Sequence, residues 1–212
     1  MLERQMKLAP NRCSIVLPGA WNIAIFSPEW LKEHFADTVH VELSIANGRL
    51  ATAVTMPQAS MLLSDSKVVI RPVGTDVGDL AQCAALAERL LIALPETPVT
   101  AFGINVCFDV LGSESPSLNE LLETGATERA AFQSTPVEAT GFMRRLSNSG
   151  AVVNLQVAVG VHAPVQVDLN HHHVVEPKKA VNVAAKIIRF ADEAERVSAD
   201  LLKHAYGLEL NG

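Results

Sequence analysis

The chain has 212 residues, of which 49% are hydrophobic and 19% are charged, so it can bury a sizeable core and is not an intrinsically disordered protein. Its 23 acidic residues outnumber the 17 basic ones and give a net charge of -6, which argues against a protein that holds nucleic acid mainly through its phosphates. No apolar run reaches the roughly 18 residues of a membrane span, and the first residues contain no signal-peptide core, so we expect a cytoplasmic protein without membrane contact.

The three cysteines point to buried thiols. Cys13, Cys83 and Cys107 are odd in number, widely separated and set among apolar residues, which is typical of reduced, buried cysteines and not of a disulfide framework. The segment 75–79 starts a helix but carries two aspartates, which disfavours phosphate binding, and the chain has no GxSxG motif. We therefore expect no bound cofactor and no catalytic nucleophile.

The first half of the chain alternates strand and helix signals. The apolar stretch 13–26, broken by Pro18-Gly19, predicts a bent strand or two short strands. Ser27-Pro28 predicts the start of a short helix, because serine caps helices and proline is favoured at the first helical position. Alternating apolar residues on both sides of Asn47-Gly48 predict a hairpin, since this dipeptide accepts a type I′ turn. We expect a loop over 57–66.

A strand over 67–72 and an amphipathic helix from Asp76 to Pro95 complete this half. The second half repeats the order of elements. The predicted elements are a strand over 99–110, a short helix that begins at 115–117, strands over 137–146 and 152–161 joined by a turn at 148–150, a strand over 164–174 and a long helix over 178–206.

The repeated order predicts a duplicated unit, with halves at 1–97 and 98–212. Asn47 and Asn148 are 101 residues apart, and so are Gly78 and Lys179. We therefore expect an α+β fold in which two β-α-β-β-β-α repeats form an antiparallel sheet, with the long helices on one face. The alternative is a single curved antiparallel sheet that grips the C-terminal helix, as in helix-grip folds.

The element order of the duplicated arrangement resembles the pseudo-twofold saddle of the TATA-box-binding proteins across most of the chain. This resemblance implies a saddle-like sheet with one face free. The chain has no sequence motif of that DNA-binding family and is acidic, so DNA binding is not carried over.

A histidine cluster lies near the end of the last predicted strand. Alternation along a strand places His171 and His173 on one face, and His172 with Asn170 on the other. With His162 from the neighbouring strand, His171 and His173 form a candidate metal site. The sequence has no HExxH or CxxC motif, so we favour a polar packing or interface role, with His172 and Asn170 as interface candidates; a pH-sensitive contact is a third possibility.

Two amides and two arginines are further candidates. Asn105 and Asn170 lie among apolar residues, which predicts amides that hydrogen-bond neighbouring strands or line a pocket. Arg144 and Arg145 are the only adjacent arginines in the chain, and both are interface candidates.

The fold signals are stronger than any catalytic pattern, which indicates a binding or assembly protein and not an enzyme. We expect a protein partner, or a second copy of this chain, on the uncovered sheet face or on its edges. The alternatives are a metal-dependent enzyme centred on the histidine cluster and a carrier of a small apolar ligand between the sheet and the helices.

Overall fold

The computed structural model describes residues 4–35, 40–46, 49–74, 79–111, 139–148, 151–160 and 165–211. They form an α+β fold with an open, mostly antiparallel sheet. The strands are β1 Arg4–Leu8, β2 Ser14–Pro18, β3 His40–Ala46, β4 Arg49–Thr55, β5 Ala59–Leu63, β6 Lys67–Pro72, β7 Ala101–Leu111, β8 Ala139–Asn148, β9 Ala151–Gly160, β10 Val165–Val174 and β11 Leu208–Leu210. The helices are α1 Pro28–His34, α2 Asp79–Ala93, α3 Val181–Ala184 and α4 Ile187–Tyr206. None of these helices has the length and hydropathy that a membrane span requires.

Nine strands form a continuous path in the order β3-β4-β5-β6-β2-β7-β10-β9-β8, and all neighbours along it are antiparallel. The central strand β7 pairs with both β1 and β2, because a 3-10 turn at Pro10–Arg12 interrupts what is otherwise one long strand. β11 adds to β1 in parallel. The interruption places Arg12 beside the middle of the sheet.

The long helices pack on one face of this sheet. α2 contacts β2, β5 and β6, α4 contacts β7, and the two helices contact each other. Along β7 the fully buried Ile104, Val106 and Phe108 point to the helices, and Asn105 points the other way. We call the side that carries Asn105 the open face, because α2 and α4 leave it uncovered.

Two local predictions are confirmed. The hydroxyl of Ser27 accepts a hydrogen bond from the backbone N–H of Trp30 at 3.2 Å, which caps α1 as its sequence indicates. In the hairpin of β3 and β4, Ala46 pairs with Arg49, so two residues join the strands. The short helix predicted at 115–117 lies outside the described residues.

Two other predictions need correction. The segment 57–66 is not a loop throughout, because β5 occupies Ala59–Leu63 and buries Ala59, Met61 and Leu63 at every second position. The expected C-terminal helix is divided into α3 and α4. The apolar stripe nevertheless continues across the division, since Val183 and Ile187 are both fully buried.

The end of α4 depends on a glycine. Gly207 adopts φ 64°, and its backbone N–H caps the last turn by binding the carbonyl oxygens of Leu202 and Lys203. An added Cβ would touch no atom within 4 Å, so only the backbone conformation opposes a side chain here. We expect Gly207→Ala to lower the free energy of unfolding by about 1 kcal/mol in urea denaturation. An unchanged value would contradict this role for Gly207.

Candidate functional site

A row of hydrogen-bonded polar side chains crosses the open face. Ser14, Asn105, Asn170 and Asn154 lie directly opposite one another on β2, β7, β10 and β9. Asn105 Nδ2 donates to Ser14 Oγ at 2.8 Å and Asn170 Nδ2 donates to Asn105 Oδ1 at 2.6 Å. Asn154 Nδ2 donates to Asn170 Oδ1 at 3.4 Å. We call these four residues the amide row; all of its bonds run in one direction, toward β2.

The sheet register explains how distant segments form this row. Directly opposite residues on neighbouring strands have their Cβ atoms about 5 Å apart, which suits hydrogen bonds between short amides. The three asparagines are half-buried, so their mutual bonds replace part of their lost hydration. Each primary amide has two N–H groups and uses one in the row, so each has a second donor for other contacts.

An arginine anchors one side of the amide row. Arg12 Nη2 donates to the backbone carbonyl of Phe108 at 2.9 Å and to Asp168 Oδ1 at 3.1 Å. Its Nη1 lies 3.3 Å from Asp109 Oδ1, and its side chain is 24% exposed. One guanidinium therefore lies beside two carboxylates, and the three side chains together keep a net charge of -1. Arg12 Nε is buried and has no hydrogen-bond partner among the described residues.

The open face has a shallow polar cavity of about 280 Å³ over these groups. The amide row, Arg12 and Asp168 line it together with Cys107, Gln156 and Met143. This volume is slightly below the range of about 300–1,000 Å³ that is typical of small-molecule sites. The cavity therefore suits a side chain or a short segment of a larger partner.

The cysteines do not supply a nucleophile to this cavity. All three are buried and none forms a disulfide, as their sequence context predicts. A hydrogen bond with Cys13 and burial raise the pKa of the Cys107 thiol, and burial raises the pKa of Cys83 to about 12. Cys13 is fully buried. None of the three cysteines therefore has an accessible sulfur that could act as a thiolate nucleophile at neutral pH.

The histidine cluster is divided between the two faces of β10. His171 and His173 point to the helices: His171 Nε2 lies 2.7 Å from Ser198 Oγ on α4, and the His173 ring stacks on Phe102 with centroids 4.5 Å apart. Burial lowers the pKa of His171 to about 4, and it also lowers the pKa of His173. His172 is partly exposed on the same face as Asn170, so the predicted division of the cluster is confirmed.

The metal site remains a prediction. His162 lies outside the described residues, so its distance to His171 and His173 is not part of the structure. Within the described ranges, no group of three or more His, Cys, Asp or Glu side chains is arranged to hold a metal ion.

The adjacent arginines lie on opposite faces of the edge strand β8. Arg145 pairs in register with Asn154, which places it at the end of the amide row on the open face. The Arg144 guanidinium lies over the Phe142 ring, 5.2 Å from its centroid, on the other face. Both side chains are exposed. Only Arg145 belongs to the site.

Sequence reasoning identified Asn105 and Asn170 but missed Arg12, Ser14 and Asn154. An available signal for Asn154 was its position, with Gln156, as one of two amides at alternate positions within the otherwise apolar strand 151–160. No local signal identifies Arg12, because its partner Asp168 is 156 residues away. In comparisons with known proteins, no family model matches this chain and no curated protein matches it either.

Proposed function

We propose that this protein is a non-catalytic binding protein that contacts a protein partner through the open face of its sheet. The observation that carries the proposal is the one-sided packing of α2 and α4. No helix of the described residues covers this face, and it exposes polar and apolar side chains together, among them Gln156, Leu62 and Met143. Leu62 is 45% exposed and Met143 is 69% exposed.

The size of the open face supports this function. With strands about 4.8 Å apart and on average about eight residues of 3.4 Å along each strand, nine strands give a face of about 38 by 27 Å, or about 1,000 Å². One partner in a standard protein interface contributes about 800 Å². The face is therefore large enough for a protein contact and much larger than the cavity within it.

A tandem duplication, with halves at 1–97 and 98–212, accounts best for the strand order. In this proposal the halves are arranged as in the saddle of the TATA-box-binding proteins. It is supported by the order read outward from the central pair β2 and β7, which continues as β6-β5-β4-β3 on one side and as β10-β9-β8 on the other. On each side, the strand that comes last in the sequence, β6 or β10, lies next to the central pair. The strand that follows the central one in the sequence, β3 or β8, lies at the edge of the sheet. The first half has one strand more, β5.

Site-specific photo-crosslinking tests the function. Benzoylphenylalanine at Leu62 or Gln156 on the open face is expected to give a discrete protein adduct in the host cell. The same residue at the exposed Ile92 of α2 or Arg189 of α4 serves as the matched control and is expected to give none. Mass spectrometry of the adduct distinguishes a second copy of this chain from a different protein. A higher adduct yield from the open-face positions than from the helix positions would locate the contact on the open face.

Two results would contradict the proposal. Equal adduct yields from the open face and from the helices would show that contact is nonspecific. No adduct from either open-face position, in cells where the protein is folded, would show that this face has no protein partner.

A further inference from the structure

The charge of the open face differs from that of the whole chain, in which acidic residues are in excess. The acidic side chains on the described part of this face each contact another polar side chain: Asp109 and Asp168 share Arg12, Glu209 Oε1 lies 3.0 Å from Lys203 Nζ, and Glu42 Oε1 lies 2.9 Å from the His40 imidazole. The net charge of the chain is -6. An acidic protein thus keeps no isolated carboxylate on the described part of its uncovered face.

Several basic side chains on the same face form no ion pair among the described residues, and three of them also lie away from the aspartates; the fourth, Lys7 on β1, lies opposite Asp109. Lys67 and Arg71 flank Val69 on β6, at alternate positions that share its face, and Arg145 lies on β8. All three are exposed. Away from the aspartates, a partner that approaches the open face therefore meets unpaired positive charge at two places, Lys67 with Arg71 and Arg145.

These two places are far apart. β6 and β8 are separated by five strand steps along the sheet, which corresponds to about 24 Å. The amide row lies between them and offers the second N–H groups of its asparagines, which are hydrogen-bond donors. Donors and cations both favour a ligand that is rich in carboxylate and carbonyl oxygens.

We infer that the open face binds an acidic segment of another protein, with its carboxylates at Arg145 and at Lys67 and Arg71. This inference rests on the proposed function and specifies the partner. A segment of about seven extended residues covers the 24 Å between the two basic places, and its backbone carbonyls then lie over the amide row. A second copy of this chain fits less well, because two open faces in contact would bring the unpaired cations of both copies together.

The adjacent arginine provides a matched control. Arg144→Glu and Arg145→Glu change the net charge of the protein equally and alter opposite faces of β8; Arg144→Glu also removes the contact with the Phe142 ring. At about 150 mM salt the Debye length is about 8 Å, so a charge on one face has little effect at the other. Only the Arg145 variant removes a cation from the open face.

Fluorescence anisotropy at this salt concentration with labelled peptides tests the inference. We expect a ten-residue glutamate peptide to bind the wild-type protein and a ten-residue lysine peptide not to bind. Arg145→Glu and the double variant Lys67→Glu/Arg71→Glu are each expected to weaken binding of the glutamate peptide at least tenfold. Arg144→Glu is expected to change it less than twofold. Arg145→Gln, with a milder loss, keeps the test valid if charge reversal impairs folding.

Several outcomes would overturn the inference. These are no binding of the glutamate peptide, an equal loss in the Arg144 and Arg145 variants, or tighter binding of a ten-nucleotide single-stranded DNA through the same residues. If the peptide fails while open-face crosslinks persist, the acidic partner is wrong and the binding function stands. If the crosslinks are also absent, the function itself is wrong.

Discussion

Lowering the pH from about 7 to about 4 is expected to reduce the free energy of unfolding by about 3 kcal/mol, mainly because of His171. Burial against α4 lowers the pKa of His171 to about 4 in the folded protein, and its ordinary value is 6.5. Between these values the unfolded chain binds a proton that the folded protein does not. Stability from this group is therefore complete above pH 6.5 and is lost as the pH falls toward 4.

Neighbouring groups modify this loss in known directions. Burial lowers the pKa of His173, so His173 adds to the destabilisation by acid. Burial raises the pKa of Glu195 on α4, which acts in the opposite direction, because the folded protein then takes up this proton before the unfolded chain does. The ordinary pKa of a glutamate, 4.5, lies two units below that of histidine, so the histidine effect is expected to dominate at the upper end of the range, between about pH 6.5 and 5.

Urea denaturation at several pH values measures the effect. His171→Gln is expected to abolish most of the pH dependence between about pH 6.5 and 5, because glutamine does not titrate there. His40→Gln is the control, since His40 is exposed on the edge strand β3. A pH dependence in His171→Gln that equals the wild-type one would show that His171 is not the source.

Asn105→Ala is expected to lower the free energy of unfolding by about 2 kcal/mol. Asn105 occupies the middle of the amide row, where it donates to Ser14 and accepts from Asn170. Its removal leaves both neighbours without these partners in a partly buried setting, where each unpaired polar group costs about 1 kcal/mol or more. Urea denaturation at neutral pH measures the change.

A matched change on the same face is Gln156→Ala. The Gln156 side chain is exposed and lies outside the amide row, two residues along β9 from Asn154. Its loss is expected to lower the free energy of unfolding by less than about 0.5 kcal/mol. In addition, Asn105→Ala and Asn170→Ala remove the same hydrogen bond, so their effects are expected to be less than additive in the double variant. Equal costs for Asn105→Ala and Gln156→Ala would refute the energetic role of the amide row.

Local sequence patterns predicted most of the strands and the faces of their side chains. Alternation along β10 placed His171 and His173 on one face and His172 with Asn170 on the other, and the structure has the first pair on the buried face. The same rule would have identified β5, whose buried Ala59, Met61 and Leu63 alternate, but Pro57 and the serines around it resemble a loop. Local turn residues thus obscured a short strand.

The assembly of the site could not be predicted in this way. The amide row exists because β2, β7, β10 and β9 are neighbours in one particular register, and its members Ser14 and Asn105 are 91 residues apart. Strand order and register depend on the packing of the whole core, which no local window contains. Arg12 reaches its two aspartates only because a 3-10 turn interrupts the strand at that point.

The uniform orientation of the amides has a consequence for recognition. Since every asparagine donates toward β2, Asn154 presents a carbonyl oxygen at the outer end and Ser14 presents a hydroxyl at the inner end. Turning one amide around would break its bonds on both sides, so the group reverses together or not at all. The hydrogen bonds of the amide row therefore all point in one direction across the sheet. If the proposed binding function holds, a polypeptide laid across this face from N-terminus to C-terminus meets a different sequence of dipoles from the same polypeptide laid in reverse, so its two directions are expected to bind with different affinity.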